Sequence, residues 1–598
     1  MRKVRGSSPL ESTLMKKQYL EKLRHSCAHL LAAAVLKLYP QAKITLGPPI
    51  ENGFYYDIDF GDKKITDDDL PKIEEKMRQL VKNWITIKRI NLTEDEAKKI
   101  WKDNPYKLEL IDAIIQEKEK LTAYQSSEFI DLCKGPHVES PNKELKYFKL
   151  LSIAGAYWRG DEKNKMLTRI YGTIFPTKEQ LDKYLWQLDQ AKKRDHRKLG
   201  KFLNLFIIPN EVGPGLLIWT PKGSVIRREI ENLIVNEQIK RGYQHVYSPH
   251  IGRKSLWVTS GHWHLYQDKM YAPMLIDEEE YLVKPMNCPF HMMVYKSEKR
   301  SYRDLPIRIA ENATVYRYEK AGELSGMLRV RYITQDDAHI FCLENQIVDE
   351  FLGVFDFVVY LLKIFGIKDY YLRLGLRSSK EKYLGNNKIW DKAEKEIIKA
   401  IKKKKLSYLK SEGDAAFYGP KLDIIIKDAL GREWQCGTIQ VDFMLPQRFK
   451  LEYTDENGKV KTPALVHRAL LGSLERFMAL LIEHYAGAFP LWLSPTQIIV
   501  LPLSQRYTAF ALEIKEILQK NNLRVDIDLS DKTISYKIRQ STLQKIPYMV
   551  IIGDKEYKIY QQNKNYQVSV RTREGKNLMM VDLYQFILQL KKQIENFS

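Results

Sequence analysis

Several features that would place this 598-residue sequence in a protein class at once are missing from it. No apolar run approaches the roughly 20 residues of a membrane-spanning helix. The basic N-terminal stretch MRKVRGSSPLESTLMKK has no apolar core, so it does not have the form of a secretory signal. The five cysteines are widely scattered and odd in number, which argues against a disulfide framework and fits a reducing cytosol. We therefore expect a cytoplasmic protein that does not enter a membrane.

The usual nucleotide-binding loops are also absent. The sequence contains neither GxxxxGKS nor GxxxxGKT, and no GxGxxG motif opens a predicted helix. No tandem repeat is present either. If ATP binds to this chain, arginine side chains rather than a glycine-rich loop must hold its phosphates.

What the sequence has instead is ample apolar material and a strong positive charge. With 44% hydrophobic residues, 35 Tyr and 10 Trp, it can form real cores. Its length predicts several domains, since single cores rarely grow beyond roughly 250–300 residues. The formal net charge of +22 points to a polyanionic partner, of which nucleic acid is the commonest. A generally lysine-rich proteome is the alternative explanation.

Two pairs of soft-donor residues occur in the N-terminal part. The periodicity of residues 19–38 predicts a helix, on which His25 and His29 are four apart and share one face. Further on, DLCKGPHV places Cys133 and His137 on a tight turn. The pairs could converge on a zinc ion, or they could line a hydrolytic pocket in which His and Cys orient a water molecule. A chance set of core histidines is the third possibility.

Residues 311–342 form the most informative stretch. ATVYRYE and RVRYIT alternate apolar and polar residues and predict two strands, and KAGELSGM between them predicts a loop. Arg317 and Glu319 would lie near one end of this loop, with Arg329 and Arg331 at the other. The rigid donor fork of arginine suits phosphate oxygens. The alternative is a surface hairpin stabilised by ion pairs.

The remaining pattern predicts how the chain is divided. Residues 177–204 read as a charged interdomain helix and linker, and residues 224–241 as an amphipathic helix. Strands and helices then mix without regular alternation, which predicts an α+β sheet rather than a doubly wound one. From Ser494, short alternating strands and helices predict a small α/β domain. This last domain carries a predicted basic face made of Lys532, Lys537, Arg539, Arg571 and Arg573.

Three motifs in order resemble the class II aminoacyl-tRNA synthetases, and within them the threonyl-tRNA synthetase family, over nearly the whole chain. KRGYQHVYSPHI, with Pro249, is similar to the first motif, which forms the dimer interface. Residues 311–342 resemble the second motif and GSLERF the third, with MNCPFH and TQDDAHIFC at their expected places. The resemblance implies a homodimeric ligase that activates L-threonine with ATP and transfers it to tRNA(Thr).

The resemblance also implies roles for particular residues in activation. Arg317 would contact the α-phosphate and the attacking carboxylate, Glu319 would bind the adenine amino group, and Arg329 would clamp ATP. Mg²⁺ would accompany the ATP phosphates. In the family's pattern the catalytic set is Arg317, Lys421 and Arg476, and the ATP-binding set is Arg317, Glu319, Arg329, Gln435, Ser473 and Arg476.

By the same resemblance, threonine recognition uses a zinc ion, one per subunit. Its ligands would be Cys288, His339 and His467, whose separations match no compact zinc motif. The substrate's amino and hydroxyl groups would occupy the open position, so isosteric valine is rejected. The family's threonine contacts fall on Gln335, Asp337, Tyr418 and Gln440.

Serine also has a hydroxyl, so a second sieve is needed. The family's editing site, which hydrolyses seryl-tRNA, matches His25, His29, Lys107, Asp131, Cys133 and His137. We follow the family in expecting that this site handles water without a metal. In the last domain, Arg571 matches an arginine that contacts anticodon bases.

The resemblance thus implies a multidomain α+β and α/β fold. We expect an α+β editing domain at residues 1–185, a linker helix at 186–204 and a catalytic domain with an antiparallel sheet at 205–494. An α/β anticodon-binding domain would follow at 495–598.

The sequence departs from the family in four places. We expect no ubiquitin-like domain before the editing domain, because HSCAH begins at residue 25. Ile333 stands where relatives place a phenylalanine that stacks on adenine. Residues 374–377 are LGLR instead of LSTR, and Asp531 replaces an asparagine that contacts the anticodon.

Two other functions compete with this interpretation. A prolyl or seryl class II synthetase is disfavoured, because neither combines this Cys–His–His set with the N-terminal pairs. A catalytically inactive paralogue that binds RNA as a regulator would have lost Arg317, Arg476 or a zinc ligand, and all of these are present.

Overall fold

The computed structural model describes residues 9–379, 383–428 and 431–597. The chain divides into two compact units, Met1–Leu188 and Asp189–Ser598. Within the described residues no helix combines the length and the apolar character that crossing a membrane requires.

The first unit is built from one long helix packed on antiparallel sheets. Its helices are Pro9–Leu38, Leu70–Leu80, Glu94–Ile100, Pro105–Gln116, Pro141–Glu144 and the start of Lys178–Arg194. Its strands are Lys43–Ile44, Pro49–Ile50, Gly53–Asp59, Lys88–Asn91, Thr122–Ser126, Phe129–Leu132, Tyr147–Tyr157 and Met166–Phe175. The alanine-rich half of the long helix packs against strand Gly53–Asp59, because small side chains allow a close approach. The helix predicted at residues 19–38 is confirmed.

The second unit begins with a short helix and ends with the predicted α/β domain. Its helices are His196–Phe202, Pro221–Lys240, Ser255–Ser260, His262–Leu265, Cys288–Lys296, Ile347–Ile364, Asn387–Lys403, Met444–Arg448, Leu474–Tyr485, Thr508–Lys520, Ile534–Leu543, Asp554–Asn563 and Leu583–Glu595. Helix Pro221–Lys240 confirms the helix predicted at residues 224–241. It begins where the hydroxyl of Thr220 accepts a hydrogen bond from the N–H of Gly223.

An eight-stranded sheet forms the centre of the second unit. In spatial order its strands are Gln244–His245, Ile307–Tyr316, Tyr332–Cys342, Ala464–Ser473, Glu433–Asp442, Lys421–Lys427, Tyr370–Leu376 and Leu409–Glu412. The first and the last pairings are parallel and all the others antiparallel. One face of this sheet packs on helices Ile347–Ile364 and Leu474–Tyr485 in a large apolar core.

Short strands complete the unit. A three-stranded sheet contains Ile251–Arg253, Glu279–Val283 and Met274–Ile276, and two hairpins pair Phe206–Ile207 with Ile218–Trp219 and Tyr453–Thr454 with Val460–Lys461. The last hundred residues form a five-stranded sheet in the order Val525–Ile527, Ile498–Pro502, Tyr548–Ile552, Gln567–Thr572 and Asn577–Asp582. Its first three strands are parallel, as the alternating strands and helices predicted.

The two strands on either side of the arginine-rich loop stop further from it than predicted. They end at Tyr316 and begin again at Tyr332, so all four charged residues placed at the strand ends, Arg317, Glu319, Arg329 and Arg331, lie in the loop. The loop is nonetheless fixed, because the N–H of Arg317 donates to the carbonyl of Arg331 at 2.9 Å. Alternation alone could not locate the strand ends, since Arg317 and Arg331 continue the polar positions of the pattern.

Candidate active sites

A cavity of about 560 Å³ opens on the central sheet of the second unit. Its wall combines four antiparallel strands, the arginine-rich loop, and the first turns of helices Cys288–Lys296 and Leu474–Tyr485. Every catalytic, ATP-binding, threonine-binding and metal-binding residue predicted from the sequence lines this cavity except His339, which lies buried behind it. The strand register therefore gathers residues that are far apart in the sequence.

The Cys288, His339 and His467 side chains meet at the inner end of this cavity. His339 and His467 are direct partners on adjacent strands, and Cys288 is the first residue of its helix. One ligand atom from each of the three lies within 4.8 Å of the others. Their sequence separation carries no signal, because the pairing of two strands sets the distance between the histidines.

The hydrogen bonds of the two histidines show whether this cluster fits a metal ion. Nδ1 of His339 is 2.8 Å from Nδ1 of His291, and Nε2 of His467 is 2.9 Å from Oδ2 of Asp442. The other ring nitrogens, Nε2 of His339 and Nδ1 of His467, are buried without a hydrogen-bond partner. Buried polar atoms are rarely left so, and metal-binding histidines use one nitrogen for the ion and the other for a supporting partner. The cluster fits zinc.

The pKa of the Cys288 thiol is consistent with a metal ion at this cluster. Burial raises its pKa well above the ordinary value, and the nearby charges of Asp337 and Asp442 raise it further. A thiolate in this place therefore needs a cation beside it. In the cluster, the positive charge of a bound metal ion would offset both effects.

The predicted threonine contacts surround the same end of the cavity. The hydroxyl of Tyr418 donates to Oε1 of Gln440 at 2.6 Å, and the Tyr418 ring stacks on His467 with 4.8 Å between centroids. Asp337 lies two residues before His339 on the same strand, opposite Ala469 of the neighbouring strand, and it lines the cavity. Gln335, two residues further from His339, lines the cavity as well. Burial raises the pKa of the Asp337 carboxyl. A positively charged amino group beside Asp337 would lower this pKa again and favour the ionised carboxylate.

Two arginines with unneutralised charge line the outer part. The guanidinium of Arg317 donates to the carbonyl of Pro285 at 3.5 Å, and no carboxylate among residues 9–379, 383–428 and 431–597 forms an ion pair with it. Arg476 donates to the carbonyls of Leu328 and Gln435, both at 3.1 Å. Burial lowers the pKa of Arg476, and the charge of Arg317 contributes. Such a pair is suited to phosphate oxygens.

The loop carries an ion-pair network at the cavity mouth. Oε2 of Glu319 lies 3.1 Å from both Nζ of Lys269 and Nε of Arg329. Nε of Arg331 donates to the Glu319 carbonyl at 2.9 Å. The surface ion pairs considered from the sequence are thus present, but they hold a loop that forms one wall of the cavity.

Lys421, Gln435 and Ser473 are fixed by their neighbours. Nζ of Lys421 lies 3.0 Å from Asp423 and 3.2 Å from Asp414, so its charge is shared between two carboxylates. Gln435 donates to Asp423 at 2.7 Å. The Ser473 hydroxyl accepts from the N–H of Arg476 and caps the helix that carries this arginine.

One further residue of this cavity has no signal in the sequence pattern. His262 is buried there, with Nδ1 2.7 Å from the hydroxyl of Ser260 and its ring edge-on to Phe417. Burial lowers its pKa to about 3, and the nearby His467 and Arg317 contribute, so the ring is neutral. The stretch SGHWHL contains two histidines, and nothing in the pattern distinguishes them.

The first unit contains a separate cavity of about 680 Å³. His25, His29 and Cys133 lie in its wall and His137 packs against them, with ligand-type atoms of all four within 4.8 Å of one another. Sγ of Cys133 is 3.2 Å from Nε2 of His25 and 3.3 Å from Nε2 of His137. Gly135, at φ +74, turns the chain so that its N–H donates to the same sulfur.

Buried charges support this cluster from behind. Asp131 lies 2.5 Å from Nζ of Lys107 and 3.7 Å from Nε2 of His29, and it accepts from the hydroxyl of Tyr56 at 2.5 Å. The sequence resemblance predicted Lys107 and Asp131 but not Tyr56. Nδ1 of His137 contacts the hydroxyl of Ser26 at 3.0 Å, and that hydroxyl donates to the Lys22 carbonyl at 2.8 Å. The proton between Ser26 and His137 therefore sits on Nδ1, which leaves Nε2 as an acceptor.

The two clusters differ in how their donor atoms are satisfied. In the first unit, the Cys133 sulfur contacts the imidazole rings of His25 and His137. Within the described part of the chain, none of the ring nitrogens of this cluster is buried without a hydrogen-bond partner. The set has soft donors that a metal could use, but nothing in it requires one. Burial raises the pKa of Cys133 to about 12. The thiol is thus protonated at neutral pH and can donate a hydrogen bond.

The pKa of Cys133 leads to a direct prediction. Its alkylation by iodoacetamide should be slow at pH 8, because roughly one thiol in 10⁴ is ionised when the pKa is about 12. The rate should rise through pH 11 without a plateau, as followed by mass spectrometry of the Cys133 peptide. The same cysteine in urea-unfolded chain is the control. A plateau near pH 8 would mean that the site holds a thiolate.

The basic face predicted for the last domain is only partly present. Lys537 is buried and donates to the carbonyls of Pro502 and Asp528, and Arg573 donates to the carbonyl of Phe489. Both side chains are therefore engaged in hydrogen bonds to backbone carbonyls and do not contribute to a basic surface. Lys532 and Arg539 are exposed, as is Asp531, and Arg571 is half-exposed with a hydrogen bond to Asn577 at 2.9 Å.

Comparison with known proteins shows which family has these sites. The model of the class II tRNA synthetase core domain (G, H, P, S and T) matches residues 272–485. The anticodon binding domain model matches residues 497–593, and the model of the second additional domain of threonyl and alanyl tRNA synthetases matches residues 121–171. Together with the antiparallel central sheet, these matches define a class II aminoacyl-tRNA synthetase and confirm the predicted fold class.

Individual relatives identify the family more narrowly than the domain models do. A threonine–tRNA ligase from Sulfurihydrogenibium sp. (strain YO3AOP1) is 46% identical over 97% of this chain and 89% of its own length. The one from Dehalococcoides mccartyi (strain CBDB1) is 49% identical over 94% of each chain. The solved RNA binding domain of threonyl-tRNA synthetase from Cryptosporidium parvum Iowa II aligns with a TM-score of 0.63 and 38% identity, covering 67% of this chain and 98% of its own.

The chain therefore belongs to the threonine–tRNA ligase family. It is an enzyme that joins threonine to tRNA at the expense of ATP, and its N-terminal unit contains the additional domain associated with editing.

Proposed function

We propose that the two cavities select the amino acid in succession, the first by a metal ion and the second by hydrolysis. In the second unit, Cys288, His339 and His467 hold one zinc ion per subunit, at which threonine is distinguished from valine. The observation that carries this proposal is the pair of buried ring nitrogens without partners, Nε2 of His339 and Nδ1 of His467, beside the Cys288 thiol.

A zinc ion held by these three residues would supply a free coordination position for the amino and hydroxyl groups of threonine. The residues around it fix the rest of the substrate. Asp337 faces the amino group, and the Tyr418–Gln440 hydrogen bond closes the wall beside His467. Gln335 lines the path toward the arginines. This arrangement turns the threonine carboxylate outward, toward Arg317.

Activation then depends on charge and position. The carboxylate oxygen attacks the α-phosphorus, a new P–O bond forms, and the bond to pyrophosphate breaks. Arg317 binds the α-phosphate and the attacking carboxylate. Arg329 and Arg476 hold the ATP phosphates together with Mg²⁺, and Glu319 binds the adenine amino group. Lys421, Gln435 and Ser473 complete the wall. Groups held in place in this way stabilise the developing charge without reorganisation.

Serine passes the first site because it has the hydroxyl, so we assign its removal to the first unit. His25, His29, Cys133 and His137 hold a water molecule against the ester bond of seryl-tRNA, and no metal takes part. Lys107 and Asp131 orient His29 from behind. A neutral imidazole can accept a proton from the attacking water molecule, and the protonated thiol can donate a hydrogen bond to the reacting groups, as hydrolysis of an ester requires.

The remaining assignments complete the proposal. The domains are residues 1–185 for editing, 186–204 as linker helix, 205–494 for catalysis and 495–598 for anticodon binding, where Arg571 contacts a base. The enzyme is a homodimer, which the 96% exposure of Tyr247 beside Pro249 supports, since a bare aromatic side chain favours burial by a partner. It is cytoplasmic, which its five free thiols support.

Amino-acid-dependent ATP–pyrophosphate exchange tests the proposal as a whole. Threonine and serine should both support exchange on the zinc-containing enzyme, whereas valine should be weaker by on the order of 10⁴-fold, because it leaves the site's polar groups unpaired. Equal activation of valine would contradict the proposal. Serine exchange without accumulation of seryl-tRNA would support the second sieve.

Variants of the second sieve provide a separate prediction. His25→Ala or Cys133→Ala should leave the rate of threonylation within about twofold of wild type, because the two cavities share no residue. Hydrolysis of preformed seryl-tRNA should fall by roughly 10²-fold or more, the usual effect of losing a general acid or base. Cys27→Ala is the matched control, since Cys27 is buried on the same helix outside the cluster. Unchanged clearance in both variants would refute the assignment.

A further inference from the structure

His196 is buried between three segments of the second unit, and the predicted sites do not include it. Its Nδ1 lies 2.8 Å from Oε1 of Glu483, and its Nε2 accepts a hydrogen bond from the N–H of Met327 at 3.2 Å. His196 and Glu483 are 2% and 4% exposed. Because Nε2 accepts, the ring proton sits on Nδ1 and is donated to the carboxylate. Both nitrogens are therefore in use, which argues against a metal at this place.

The two partners of His196 belong to the elements that hold the nucleotide. Glu483 lies on helix Leu474–Tyr485, two turns after Arg476 and thus on the same side. Met327 lies in the arginine-rich loop, and the carbonyl of the next residue, Leu328, accepts from Nε of Arg476 at 3.1 Å. One ring thereby joins the helix of Arg476 to the loop segment that orients the Arg476 side chain.

The contact between this ring and the loop is close. Gly326 has φ +51, and a Cβ placed on it would lie 2.3 Å from Nε2 of His196. The loop backbone therefore rests directly on the imidazole. The next turn is closed by the N–H of Leu328, which donates to the Ser325 carbonyl at 2.9 Å. A change at position 196 must therefore be transmitted to Leu328 and Arg329.

We propose that His196 is a positioning residue for ATP, which sets the Arg476 guanidinium and the Leu328–Arg329 segment through its bonds to Glu483 and Met327. His196 does not line the cavity, so it acts only through these residues. The inference rests on the proposed assignment of Arg476 to the ATP phosphates. It adds to that assignment a third element, the short helix His196–Phe202, which precedes the sheet in the sequence.

Two near-isosteric variants separate the two bonds of the ring. Asparagine places an N–H near the Nδ1 position and keeps the bond to Glu483, but it offers no acceptor to Met327. Glutamine places an oxygen near the Nε2 position and keeps the bond from Met327. His196→Asn should raise the KM for ATP in ATP–pyrophosphate exchange by about tenfold, the effect of one buried donor left unpaired, with the KM for threonine unchanged. His196→Gln should stay within about threefold of wild type, because Glu483 keeps its ion pair with Arg432 at 3.1 Å when the bond from position 196 is lost.

Three measurements on the full-length enzyme make the test decisive. Lys198→Ala, an exposed neighbour on the same short helix, should match wild type. Hydrolysis of preformed seryl-tRNA should be unchanged in every variant, which shows that the first unit is intact, and an unchanged KM for threonine shows that the second unit is folded. Arg476→Ala should lose ATP affinity. If Arg476→Ala does so but His196→Asn and His196→Gln are equal, or if His196→Asn lowers only the melting temperature, the inference is wrong. If Arg476→Ala leaves ATP binding intact, the proposed assignment of Arg476 to the ATP phosphates is wrong, whatever the His196 variants show.

Discussion

Replacing Cys288 by alanine should lower kcat/KM for threonine activation by on the order of 10³-fold or more and nearly abolish the preference over valine. The reason is that only a metal ion, or fixed polar groups, can distinguish a hydroxyl from an isosteric methyl group. An apolar pocket separates such isosteres only weakly. Without the thiolate, two neutral imidazoles hold zinc poorly, and the site loses the positive charge that binds the substrate hydroxyl.

The kinetic pattern should be specific to this thiol. In Cys288→Ala the activity with threonine should fall much further than the activity with valine, because only threonine has the hydroxyl that the metal binds, so the two substrates converge. Cys342→Ala, at the end of the strand that carries His339 but outside the cavity, is the matched control and should keep wild-type discrimination. A Cys288→Ala enzyme that still rejects valine by the wild-type factor would contradict the metal sieve.

Replacing Arg317 by alanine should reduce kcat for adenylate formation by on the order of 10³-fold, while zinc content stays at the wild-type level. The guanidinium faces the cavity without a carboxylate partner in the described part of the chain, so its charge is free for the α-phosphate. Removing this charge takes away an interaction that strengthens as the α-phosphorus is attacked. ATP–pyrophosphate exchange at saturating threonine and ATP measures the loss.

A lysine at position 317 sharpens the test, because it keeps the charge but not the fork of donors. We expect Arg317→Lys to recover only part of the rate. Arg331→Lys is the control from the same loop, since Arg331 donates to the Glu319 carbonyl and does not line the cavity. If Arg317→Ala altered only the KM for threonine, the residue would bind the ground state and not the transition state.

Local patterns in the sequence predicted what depends on local geometry. The pair His25 and His29 followed from helix periodicity, and the helix predicted at residues 224–241 followed from its amphipathic pattern, although it begins three residues earlier, at Pro221. The alternation around residue 311 located both strands of the arginine-rich segment. It placed their ends wrongly, because charged residues that face a cavity have the same period as residues that face solvent.

Features that depend on strand pairing could not be predicted this way. His339 meets His467 because strand Tyr332–Cys342 pairs with Ala464–Ser473 in that register, and Cys288 reaches them from a helix outside the sheet. Only the family resemblance connected the three. His196 and His262 have no motif of their own in the sequence. Conversely, Lys537 looked like part of a basic surface, but its ammonium group satisfies two buried carbonyls.

Zinc K-edge absorption spectroscopy, combined with a metal count on the purified enzyme, shows whether Cys288, His339 and His467 bind zinc. We predict about one zinc ion per chain, bound by one sulfur and two imidazole nitrogens, with the metal lost in Cys288→Ala and retained in Cys133→Ala. Zinc that is retained in Cys288→Ala and lost in Cys133→Ala would place the metal in the first unit and contradict the proposed metal site.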